Sequence, residues 1–220
     1  MIDLRLLQLA SPGFPVGAYS YSQGLESAVE ARIVRDAASA ARWIGDVLAL
    51  SVGTMEAPVF LRLAAAWRCG DLQAVRRWNA EFVASRETAE LRAETLQMGY
   101  SLRELLRALS VGDSRALEAI EEPAYPTAFT FAVAAWGIDP REALSAYLFA
   151  WVENQVLAAL KAVPLGQTHG QRLLLGIAQA IPALVEDAAA MADDDLANFA
   201  PGLALLSARH ETQYSRIFRS

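Results

Sequence analysis

One cysteine and two histidines are all that this chain of 220 residues supplies for disulfides and soft metal sites. Cys69 has no second cysteine to pair with, so there is no disulfide framework. With His169 and His210 as the only imidazoles, a self-contained His/Cys metal site is not expected. Long charge-free apolar runs are missing too. The two longest uncharged stretches, residues 6–25 and 123–138, are interrupted by Pro, Gly and Ser, whereas a membrane span needs ~20 continuous apolar residues. Asp3 precedes Arg5 and the apolar run behind them is too short for a signal peptide, so cytoplasmic residence without membrane attachment is the expectation. β-Branched residues are sparse beside Ala and Leu, which disfavours sheet. No repeat or low-complexity linker occurs. A Gly-x-x-x-x-Gly-Lys loop is also absent, which removes a P-loop nucleotide site. The net charge of −6 argues against a general nucleic-acid role.

What the chain has in excess is apolar surface. Hydrophobic residues make up 54% of it, a surplus that must enter a large core or partner interfaces. Its length fits one domain, spanning 1–220. The pattern of apolar stripes and breaks predicts an all-α, single-domain bundle of roughly ten helices.

Asp36 is placed to cap a helix towards Val52, a second helix runs from Thr54 to Arg68, and Asp71 caps a third. Ser85 is the expected cap of a long helix with Leu91, Met98, Leu102, Leu105 and Leu109 on its apolar stripe. Glu90 and Glu94 lie on its polar face, and Gly99 mid-helix predicts a close helix–helix contact. Asp139, Pro140 and Glu142 form a strong start signal for a helix over 139–163 that is apolar almost all round, and so central. Pro164 and Gly166 end it beside the amides Gln167 and Gln171. A further helix is expected over 168–185, bent or ended by Pro182, and Asp193 to Asp195 introduce a last helix ending near Gln213.

Each candidate for chemistry has a plainer rival. The loop over 11–26, with Tyr19, Ser22, Gln23 and Glu26, could cradle an anion, but a structural loop or a wet protein interface fits better. The three consecutive aspartates resemble half of a Mg²⁺ site, yet without a second cluster they read as helix-capping charge. His169 has no companion base at a motif spacing. Lys161 near a helix end complements its dipole unless a partner carboxylate meets it. The tail over 214–220 carries Tyr214, Arg216, Phe218 and Arg219, residue types common in binding hot spots. It can pack Ile217 and Phe218 onto its own core, but its shortness favours a segment mobile until a partner orders it. Two rival classes remain, an all-α enzyme pairing Glu90 or Glu94 with His169, and a helical ligand-binding regulator.

Several ordered segments together resemble the urease accessory protein UreF family. They are Leu6-Leu-Gln-Leu-Ala-Ser-Pro-Gly-Phe-Pro-Val-Gly-Ala-Tyr-Ser-Tyr-Ser-Gln-Gly-Leu-Glu26, Ser85-Arg-Glu-Thr-Ala-Glu-Leu91, Thr95-Leu-Gln-Met-Gly-Tyr100, Ala150-Trp-Val-Glu-Asn-Gln155, Val163-Pro-Leu-Gly-Gln-Thr-His-Gly-Gln171 and Tyr214-Ser-Arg-Ile-Phe-Arg219. Gly13 and Ala18 stand where the family pattern leads one to expect Ala and Gly. The resemblance covers essentially the whole chain. It implies a non-enzymatic, homodimeric chaperone without a cofactor of its own. Such a protein docks UreD (also called UreH) and the GTPase UreG, and assists nickel delivery to apo-urease. Residues 1–20 and 214–220 are the expected docking extensions. A GTPase-binding surface is expected to include Glu30, Lys161, Gln167 and Gln171, with His169 beside it.

Overall fold

The computed structural model describes residues 3–220, and no strand is present among them. Its helices are α1 (Leu4–Leu9), α2 (Leu25–Glu30), α3 (Ala37–Val47), α4 (Ala57–Cys69), α5 (Leu72–Ala84), α6 (Ala89–Ala108), α7 (Ser114–Glu118), α8 (Tyr125–Trp136), α9 (Pro140–Ala162), α10 (Gln167–Ala178), α11 (Ile181–Ala190) and α12 (Pro201–His210). They share one apolar core, so the all-α, single-domain expectation is borne out.

The long α9 lies at the centre, touching α1, α2, α3, α4, α8, α10 and α11. Asp139 caps it by accepting from the backbone N–H groups of Arg141 and Glu142, and Pro140 fits the first turn because its missing N–H is not needed there. Leu144, Leu148 and Val152 are fully buried, and Tyr147 and Trp151 nearly so. This agrees with the apolar circumference read from the sequence.

The expected close contact at Gly99 joins α6 to α8. A Cβ at that position would lie 1.9 Å from the Pro123 carbonyl oxygen, so only glycine lets the chains approach this far. The break expected between Val52 and Thr54 does not occur. Instead α3 continues into α4 through a π-helical segment, Leu48–Glu56, which ends by delivering Glu56 into the interior. Such segments are rare and often lie at functional sites.

Several boundaries differ from the sequence reading. Thr88, not Ser85, caps α6 through Leu91 N, and the Ser85 hydroxyl donates to the Phe82 carbonyl at the end of α5. Pro182 occupies the first turn of α11 instead of ending a helix, because α10 stops at Ala178. The aspartates form a short turn, Asp193–Asp195, held by the Arg62–Asp193 ion pair at 2.6 Å, and α12 begins only at Pro201. Leu109 is 51% exposed, and Leu106 takes its place in the buried stripe of α6.

Three helical stretches are long and apolar enough to cross a bilayer: Ala37–Cys69, Pro140–Ala162 and Gln167–Ala190. Counting uncharged residues overlooked them because each tolerates a few charges. The first two place 72% and 56% of their apolar windows inside the protein, whereas Gln167–Ala190 buries only 22%.

Candidate docking site

The loop before α2 turns sharply at Gly17 and Gly24, both left-handed (φ 83° and 78°), and this brings Glu26 inward at the start of α2. There Glu26 meets the C-terminal tail. Its carboxylate accepts from Ile217 N at 2.7 Å and from Phe218 N at 2.9 Å. Arg219 N donates to the Ser20 carbonyl at 2.8 Å, Ser22 N donates to the Ser220 backbone oxygen at 2.9 Å, and the Ser22 hydroxyl reaches the same oxygen. Carboxylate bonds to backbone N–H groups in a buried site are among the stronger ones.

Beneath them, fully buried His210 bridges two carboxylates, with Nε2 3.2 Å from Glu26 and Nδ1 2.7 Å from Glu90. Arg216 adds an ion pair to Glu90 at 2.7 Å. Every charged member of this clasp except Arg216 is largely shielded from water, so each depends on the others for satisfaction. The tail is therefore docked, contrary to the expectation of a mobile segment. Phe218 is 5% exposed and Ser220 fully buried, because Glu26 satisfies backbone donors that would otherwise need water.

The structure thus divides the expected partner-binding residues. Ser22, Glu26 and Phe218 are internal and hold the tail, so they offer no docking surface. Gln23 is half-buried, donating to Glu94 at 2.7 Å and accepting from Trp151 Nε1 at 2.8 Å. Tyr19, Glu30, Lys161, Gln167, His169, Gln171, Tyr214, Arg216 and Arg219 are exposed. Lys161, the chain's one lysine, brings three distant stretches together. Its Nζ lies 5.9 Å from the Tyr19 ring and 5.4 Å from the Phe218 ring. His169 does not meet Glu90 or Glu94; the histidine beside Glu90 is His210, enclosed in the clasp. The acid/base pair imagined for an enzyme is not assembled.

A second polar cluster lies next to the docked tail, and sequence reasoning missed it. A cavity of about 70 Å³ is lined by Gln23, Glu56, Arg86, Glu94, Tyr147 and Trp151, among others. Glu56 accepts from the Tyr147 hydroxyl and pairs with Arg86 at 3.4 Å, all three being buried. The Arg86 Nε is buried without a partner. Glu94 was expected on the polar face of α6, yet it is 5% exposed. Burial pushes its carboxyl up to about 7 against the lowering effect of its bonds from Gln23 and Ser220, and the Glu56 charge adds to the rise. Burial likewise drives the Tyr147 phenol well above its ordinary range, with the Glu56 charge contributing. The only sequence signal for this cluster is Glu56 in an otherwise apolar run.

A sequence profile of the UreF family matches residues 34–178. The chain is 59% identical to the "Urease accessory protein UreF" of Azoarcus sp., over 99% of this chain and 95% of that one. It is 54% identical to the protein of the same name from Dechloromonas aromatica, over 98% and 96% respectively. The one from Methylobacillus flagellatus is 51% identical, over 99% and 97%.

Proposed function

This chain belongs to the UreF family of urease accessory proteins, and from that premise we propose that it is a non-enzymatic docking subunit of urease maturation in the cytoplasm. It holds a UreD/UreH-type partner and the GTPase UreG together, and the assembly passes nickel, as cargo, into apo-urease in a GTP-dependent step. The observation that carries this reading is the corner where Tyr19, Lys161 and Phe218 meet. There, Tyr19 and Lys161 are exposed and the buried Phe218 ring backs them, so that three distant stretches fix one outward pair of an aromatic and a cation, residue types common in binding hot spots.

The GTPase takes the face that presents Glu30, Lys161, Gln167 and Gln171, all exposed, with His169 at its edge. The UreD/UreH-type partner meets the outward side of the tail, where Tyr214 and Arg219 are exposed on a backbone already fixed by Glu26. A preformed surface of this kind avoids the ordering entropy that a mobile tail would lose on binding. The chain itself pairs two-fold through apolar surface left open by the fold. The α10–α11 stretch supports this pairing, being apolar yet mostly outside the core, with Leu175 68% exposed.

Co-purification with both partners at fixed stoichiometry tests the assignment. Lys161→Glu is expected to weaken GTPase binding about tenfold or more, equivalent to ~1.4 kcal/mol, while the UreD/UreH-type partner stays bound. As the one lysine, Lys161 also reports directly, since its amine should resist acylation in the GTPase complex. Full GTPase binding by both Lys161→Glu and Gln167→Ala would remove the proposed face.

A further inference from the structure

The tail does more than cover apolar surface, because its last residue closes over a buried carboxyl. Ser220 Oγ lies 2.9 Å from one Glu94 oxygen, and Gln23 Nε2 donates to the other at 2.7 Å. Gln23 is itself fixed by Trp151 Nε1. We propose that residues 211–220 form a proton-sensitive latch, closed while Glu94 carries a proton and loosened when it ionises.

The charged groups around Glu94 set the direction. Across the cavity stand Glu56, from the π-helical segment, and Arg86, from the turn before α6. Arg86 is already paired with Glu56, so an ionised Glu94 has no cation of its own and faces a second carboxylate. Tyr147 donates to Glu56 from α9, and Tyr125 lines the cavity from α8. From the loop side come the neutral amide of Gln23 and the Tyr21 phenol, and Lys161 is directed to the Phe218 ring. Glu26, Glu90, His210 and Arg216 form the separate clasp on the tail.

In the closed state the Ser220 hydroxyl donates to Glu94, and protonating Glu94 needs only a turn of that hydroxyl, which then accepts from the Glu94 O–H while the other oxygen still accepts from Gln23. Opening the tail lifts Ser220 away and lets water reach the carboxyl. The proton then binds the closed state, where the midpoint is about 7, more tightly than the open one, where water draws it down towards the ordinary carboxyl value of 4.5. A group whose closed-state midpoint is raised favours closure below that midpoint and loses this contribution as pH rises through it. Between pH 6 and pH 8 the open fraction should therefore rise about tenfold.

Hydrogen exchange at the Ile217 and Phe218 amides reads this opening directly, because both are bonded to Glu26 only when the latch is closed. After correction for intrinsic exchange, the full-length chain should show about tenfold more opening at pH 8 than at pH 6 through Glu94. Glu94→Gln, which keeps the shape and removes the titration, should lose that tenfold part. An equal pH response in the two proteins overturns the latch. Should Glu94→Gln fail to fold, carboxyl carbon NMR of Glu94 decides in the full chain and in Phe218→Ala. The midpoint must fall towards the ordinary carboxylate range when Phe218 is removed, and an unmoved midpoint overturns the proposal.

Discussion

Gly99→Ala isolates the contact at the most extensive helix–helix packing in the fold, that of α6 on α8. On helix propensity alone the change should stabilise by ~1 kcal/mol, since Gly99 is interior to a long helix. Packing opposes this. The added Cβ would sit 1.9 Å from Pro123 O, 2.8 Å from Pro123 C and 2.7 Å from Ala124 C, all of them backbone atoms that cannot rotate aside. Ordinary carbon contacts lie at ~3.5–4 Å, so the two chains must separate by an ångström or more. The segment before α8 cannot easily retreat. Asn79 holds it by accepting from Ala124 N at 2.8 Å and the Thr127 hydroxyl at 2.7 Å, and by donating to Glu122 O at 3.0 Å. Thr95 accepts from Tyr125 N at 3.1 Å. Overpacking of this kind costs ~3 kcal/mol, leaving a net loss of ~2 kcal/mol after the propensity gain. For a chain of this size that lowers Tm by ~4–8 °C in a thermal unfolding scan. Gly176→Ala is the control, for its Cβ would meet nothing within 4 Å. It should gain up to ~1 kcal/mol and raise Tm by ~2–4 °C. An unchanged or raised Tm for Gly99→Ala would refute the packing argument.

Trp151→Ala should cost ~3–5 kcal/mol, because the ring is 9% exposed and its indole N–H holds Gln23. Calorimetry showing an unchanged Tm would remove Trp151 from the core. The chain should sediment as a dimer at tens of micromolar, roughly where a ~1,600 Å² interface holds, and Leu175→Glu should shift it to monomer. A monomer throughout, or a dimer indifferent to Leu175→Glu, counts respectively against pairing and against this face.

Local rules made much of the fold legible. Asp36, Asp71 and Asp139 each cap the helix their position announces, because a cap needs only a side-chain oxygen and N–H groups two or three residues ahead. Gly99 was readable as a close approach because glycine within a long helix has a propensity cost that packing must offset. The π-helical segment was not readable, since Gly53 reads as a break between two helices and the apolar pattern on either side suits an α-helix equally well. The clasp was hidden for a different reason. Glu26 and the 217–218 amides are about 190 residues apart, and neither carries a spacing that announces the other.

Glu94 shows how far periodicity reaches. The sequence reading set it apart from the stripe of Leu91, Met98 and Leu102, yet its spacing of three from Leu91 and four from Met98 puts it at the edge of that stripe, and a repeat does not say what lies over such an edge. Here the tail lies over it. The same carboxylate that would be an ordinary solvated charge on an isolated α6 becomes a buried group with its proton held to about pH 7. Burying Glu56, Arg86 and Glu94 together is a poor route to stability, since well-packed apolar side chains of similar volume often serve as well or better. Their placement beside the tail therefore favours a role in setting when the tail is held, a role that an apolar core could not perform.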